Sequence, residues 1–134
     1  MSSETGSLSV FLVALTLALF VLTGLVVDGG RAIAARENAA DVAEAAARVG
    51  AGQISADHLR WGEVVTDPEA AVAASEQYMA AAGFDGTASV IDGTVWVSIK
   101  TREPTVILGL VGIDSIDVSA QAEATDVHGV TRSD

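Results

Sequence analysis

Side chains able to do covalent or metal chemistry are few in this sequence. It holds no Cys and only two His, His58 and His128, which removes thiol nucleophiles, disulfides and most structural zinc arrangements. Neither imidazole stands in a metal-ligand pattern: His58 follows Asp57 in a stretch without a clear period, and His128 lies in a polar C-terminal tail. No Ser-x-x-Lys or G-x-S-x-G run supplies an activated serine, and VVDGGR lacks the spaced glycines and following Lys of a phosphate loop. Asp114 with Asp117, and Asp85 with Asp92, have the types needed for general acid–base work. Their surroundings read more simply as turn and solvent-face positions. No catalytic residue, metal ligand or cofactor is therefore expected, and the chain reads as a non-enzyme. Asp28 and Arg31 stand above this background, one helical turn apart and within reach of each other as a local ion pair.

Asp28 closes an apolar run. Residues 8–27, LSVFLVALTLALFVLTGLVV, are twenty consecutive residues without a charge, and at about 1.5 Å of rise per residue they cover roughly 30 Å, the thickness of a bilayer's hydrocarbon layer. Ser9, Thr16 and Thr23 are tolerable there, because a helical hydroxyl can donate to the carbonyl one turn earlier. A cleaved secretory signal would call for a basic start and a shorter apolar stretch, whereas MSSETG has one acid and no base. The rest of the chain is too short to enclose a helix apolar on every side, and an interfacial helix needs a polar face that this run lacks. A single-pass membrane helix is the expectation. Ala14 and Ala18 form a small-xxx-small pair within it and Gly24 sits near its end, positions that permit close helix packing.

Beyond the run, DGGRAIAARENAADVAEAAARVGAG has no proline and is rich in helix formers, so the helix should continue for about six more turns. Gly29 and Gly30 mark an expected bend at the membrane exit, and Gly50 with Gly52 an expected left-handed stop. Ala35, Ala39, Val42, Ala46 and Val49 recur at helical spacing and form a narrow stripe, read here as a seam for other helices. A connecting segment without period carries His58 and Trp61. A second helix follows in TDPEAAVAASEQYMAAAG, with Thr66 or Asp67 as N-cap, Pro68 in the first turn, Gly83 as stop, and Val72, Ser75, Met79 and Ala82 facing inward.

The period then changes to two. TASVI and TVWVSIK flank Asp92-Gly93, a hairpin signal that pairs Val90 with Val95 and Ala88 with Val97. SIDVSAQAEAT alternates as a third strand, and either of the first two strands can be its neighbour. The fold class is α+β: a long N-terminal transmembrane helix, then a small domain with one helix packed on a three-stranded antiparallel sheet. Between the second and third strands, the apolar run holding Val106, Ile107, Leu108, Leu110 and Val111 is either a short cap on the sheet or an exposed patch for a partner or the membrane surface.

The net charge of −11 disfavours nucleic acid and anionic lipid headgroups as partners. GSLSVFLVAL, VVDGGRAIAAR, ENAADVAEAAARVGA and PTVILGLVGIDSIDVSAQAEA together resemble the TadE/TadG-like pilus-assembly proteins of the tight adherence (Flp, type IVc) pilus system, especially the forms seen in actinobacteria. The resemblance implies a minor pilin-like or pseudopilin-like structural protein. Its partners would be membrane lipid, other pilin-like or TadE/TadG-like subunits and the pilus assembly platform, with its C-terminal domain extracytoplasmic. On the resemblance, Gly6, Ser7 and Phe11 are the candidate processing site, with cleavage after Gly6 left open. Such precursors carry Glu at the fifth position after the glycine, where this chain has Phe11, and no basic residue precedes Gly6.

A literal positive-inside count argues the other way, since Arg31 and Arg36 follow the span and only an acid precedes it. On the resemblance, residues 1–6 are a leader-like segment and 7–50 the helix with its extramembrane extension. Residues 51–65 connect it to an extracytoplasmic α+β domain at 66–127, and 128–134 are a flexible tail. The alternative is a membrane-tethered binding or sensing module unrelated to pili, with Trp61, Tyr78 and Trp96 as its aromatic contacts.

Overall fold

The computed structural model describes residues 4–125, with side-chain surroundings from residue 7. The tail with His128 lies outside the described residues, and the leader expectation around Gly6 lies outside those whose side-chain surroundings are described. Helix α1 runs Glu4–Ala51, α2 Ala56–Leu59 and α3 Pro68–Ala81; strands β1 (Gly86–Ile91), β2 (Thr94–Pro104) and β3 (Ser115–Thr125) follow, with a 3-10 turn at Leu108–Val111 between the last two. The sheet order is β1-β2-β3, which settles that the third strand pairs with the second. The architecture is α+β, a long apolar N-terminal helix and a small domain with helices on a three-stranded antiparallel sheet. The described residues fall into two compact units. One comprises the chain up to Ala35 with Arg102–Asp117, the other Arg36–Thr101 with the chain from Val118 onward.

In the first unit α1 is the one described helix long and apolar enough to cross a membrane. Its large apolar side chains, from Leu8 through Val27, are exposed to the surroundings. Thr16 donates to Leu12 O at 2.8 Å and Thr23 to Leu19 O at 2.9 Å, so neither hydroxyl is left without an acceptor in an apolar medium. The helix runs unbroken through Gly29 and Gly30, so the glycine pair does not interrupt it.

The second unit has a core in which α1 takes part. Ala39, Ala43, Ala46, Ala47 and Ala51 are buried with Ala71 and Met79 of α3, Val95, Val97 and Ile99 of β2 and Ala120 of β3. The expected seam for other helices is thus corrected at its centre: Ala39 and Ala46 are wholly buried within this chain, while Ala35, Val42 and Val49 are half-buried. Two helices therefore share the core with the sheet, α1 contributing only small alanine side chains to it. Gly50 serves the same approach. A Cβ there would stand 2.2 Å from Ser75 Oγ and 3.0 Å from Ala71 O, and the Ser75 hydroxyl donates to Ala46 O across the two helices at 3.0 Å. Gly50 therefore lies inside α1 as a contact glycine, and neither it nor Gly52 is among the glycines with positive φ.

Local signals account for the rest of this unit. Asp67 caps α3, accepting from Glu69 N and Ala70 N at 3.1 Å each, with Pro68 at the first position and Gly83 at φ 82° just past the end. The inward face of α3 is Ala71, Ser75 and Met79; Val72 is half-buried and Ala82 exposed, a rotation of the expected stripe. Asp92 at φ 51° and Gly93 at φ 76° make the two-residue turn, and Val90 faces Val95 as Ala88 faces Val97. The connecting segment is closed: Ile54 bridges Thr66, Asp67 N donates to Gln53 O at 2.7 Å, and α2 lies between.

Candidate functional site

Asp28 is the one buried carboxylate named among the described core residues, 1% exposed at the end of the apolar run. A lone buried carboxylate is costly unless its oxygens are hydrogen-bonded. Here three consecutive backbone N–H groups, 78 to 80 residues further along the chain, supply those bonds. Val106 N donates to Oδ1 at 3.0 Å, and Ile107 N and Leu108 N donate to Oδ2 at 2.9 and 2.7 Å. The arrangement is an anion-binding nest of successive amides filled by the protein's own side chain. The Leu108 amide is the largest influence holding the Asp28 carboxyl below the usual aspartate range; burial opposes it, and the Val106 and Ile107 amides and Arg31 assist.

The residues around Asp28 serve the same loop. Gly24, one turn earlier on the same face of α1, lies directly under Ile107: a Cβ there would be 2.7 Å from Ile107 Cγ2 and 3.3 Å from Leu108 Cδ2. Arg31, one turn later, pairs with Glu103 at 3.2 Å and not with Asp28 as the sequence suggested. The loop's own ends are tied by Thr105, whose N–H donates to Asp114 O at 3.0 Å and whose hydroxyl donates to Ile113 O. Arg102 pairs with Asp117 beneath it at 3.0 Å. The D-x-G-R motif of Asp28, Gly29, Gly30 and Arg31 therefore holds the loop between β2 and β3 through its acid and the end of β2 through its base. The apolar run at 105–113 divides accordingly: Leu108 is buried and Ile107 half-buried, while Val106, Leu110 and Val111 point outward.

The other sequence candidates are not brought together. Among the described residues no cluster of three or more His, Cys, Asp or Glu is placed to hold a metal. His58 Nδ1 lies 3.1 Å from Ser55 Oγ on the exposed α2 turn, Asp92 is a turn residue, and Asp117 is engaged by Arg102. Ala14 and Ala18 lie on the exposed surface of α1. Trp61 is 87% exposed, with Tyr78 and Trp96 each near half-exposed. The sequence reading missed the partner of Asp28. Its one local signal was Gly24 four residues before the acid, a small residue on the same helix face.

Residues 6–53 match a family model described as "Putative Flp pilus-assembly TadE/G-like". The match covers most of α1, including Gly24, Asp28 and Arg31, and stops short of the loop they hold. No curated protein and no solved structure matches the chain.

Proposed function

We propose that this protein is a membrane-anchored, minor pilin-like or pseudopilin-like structural subunit that takes part in the assembly or initiation of a tight adherence (Flp-type) pilus. The observation that carries this reading is the family match over residues 6–53, the segment that contains the apolar run and its D-x-G-R exit. An extended helix whose first half is exposed along its length suits a subunit that packs with other membrane helices. Its interface is the span itself, around Ala14 and Ala18, because Ala39 and Ala46 are occupied within the chain. The partners in this reading are pilin-like or TadE/TadG-like subunits and the assembly platform, and the C-terminal domain is extracytoplasmic.

The test is deletion of the gene and complementation with the full chain. Loss of surface pili with normal growth, restored by the wild type but not by an Ala14→Leu, Ala18→Leu double variant that still fractionates with membranes, is expected. Undiminished piliation in the deletion strain refutes the reading. A reporter fused after Asp134 should be active only outside the cytoplasm; activity inside would reverse the orientation.

A further inference from the structure

We propose that the loop at residues 105–113 is a second membrane contact, seated at the boundary between lipid headgroups and acyl chains, and that Asp28 holds it there. The proposal rests on the membrane-anchor part of the reading above and is independent of the pilus.

Position is the first argument. Ile107 and Leu108 lie against Gly24, inside the twenty-residue uncharged run, and the amides at 106–108 are bound to the residue that ends it. If the run crosses a bilayer, the loop lies within one helical turn, roughly 5 Å, of the membrane edge. Its exposed face then lies at the depth of Leu25 and Val26 of α1, both of which are exposed.

Composition is the second. TVILGLVGI carries no charge over nine residues, and its outward side chains are large and apolar: Leu110 is 74% exposed, with Val106, Val111 and Ile113 about half or more. Beneath it, Glu103 is paired with Arg31 and Asp117 with Arg102, which lowers the electrostatic cost of approaching lipid.

The third argument is hydrogen bonding, and it explains why an acid is buried here at all. Irregular backbone at membrane depth must find its partners within the protein. In this loop the N–H of Thr105 goes to Asp114 O, those of Val106, Ile107 and Leu108 to Asp28, and those of Leu110, Gly112 and Ile113 to Ile107, Gly109 and Leu108 carbonyls.

The chain has no Cys, so single cysteines can be placed at Leu110, at Val26 and at Trp61 of the full protein and labelled with an environment-sensitive fluorophore. The proteins are reconstituted in phosphatidylcholine vesicles with lipids nitroxide-labelled near the headgroup end of the acyl chain. The expected result is quenching at Leu110 comparable with that at Val26 and several-fold above that at Trp61. Adding Asp28→Asn should lower the Leu110 quenching and leave Val26 unchanged. Quenching at Val26 with Leu110 as wet as Trp61 would overturn the proposal while leaving the anchor intact. No quenching at Val26 would refute the anchor, and this proposal with it. Protection of Leu110 from aqueous iodide only in cells carrying the pilus-assembly components, and not in vesicles, would mark a protein interface and overturn it. Unchanged Leu110 quenching in the Asp28→Asn protein would refute the role given to Asp28.

Discussion

Replacing Gly50 with Ala separates a helix that packs on its own domain from one whose small-residue face waits for a neighbour. In an isolated helix interior the change stabilises by up to about 1 kcal/mol, because glycine loses more backbone freedom on folding. Here the added methyl would stand 2.2 Å from Ser75 Oγ, 3.0 Å from Ala71 O and 3.1 Å from Val95 Cγ1. Overpacking of a closed core costs about 1–3 kcal/mol. Moving Ser75 aside also forfeits its bond to Ala46 O, about 1 kcal/mol more. The propensity gain and the lost hydrogen bond roughly cancel, so Gly50→Ala should destabilise by about 2 kcal/mol, lowering Tm by something near 10 °C for a domain of this size. Gly30→Ala is the internal control, since a Cβ there meets nothing within 4 Å. The assay is thermal unfolding in detergent, followed by near-ultraviolet circular dichroism. A Gly50→Ala protein as stable as wild type or more so would refute the packing of α1 on α3.

Asp28→Asn should speed hydrogen exchange at the amides of Val106, Ile107 and Leu108 while leaving the amides of β1 unchanged, which amide exchange measured in micelles would resolve. The same carboxylate makes the loop sensitive to acid. Its folded-state pKa is lowered, so its contribution is fully present above the ordinary aspartate value of about 3.9 and is lost as pH falls below that toward the lowered one. Loop protection should therefore persist at pH 5 and above and fade only below about 4; fading near neutrality would contradict the nest. Asp67→Ala removes the acceptor for two amides at the start of α3 and should cost about 1 kcal/mol, read as a shifted urea midpoint with an unchanged slope. Gly24→Leu should displace Ile107 and reproduce the exchange pattern of Asp28→Asn without changing membrane fractionation.

Much of this protein is written in local patterns. Twenty uncharged residues determine a membrane-length helix whatever surrounds them. Asp92-Gly93 determines the hairpin and its register, because few residue pairs accept positive φ twice in succession. Alternation along 116–124 determines which face of β3 is buried, and Asp67, Pro68 and Gly83 bound α3. These features depend on neighbours a few residues away, which a linear sequence displays.

What covers each face was decided only by the tertiary structure. An alanine stripe states that something approaches closely without stating what, so Ala39 and Ala46 fitted a neighbouring helix as well as the chain's own sheet until the core closed over them. Gly50 read as a helix stop and is a contact point for Ser75. Asp28 read as the local partner of Arg31, because the amides it binds lie 78 to 80 residues away and main-chain donors look the same in every sequence. Side-chain types and spacing set the period of an element and the face it must bury. The partner of that face depends on how distant segments meet, and for Asp28 that meeting is made with backbone atoms every residue but proline carries.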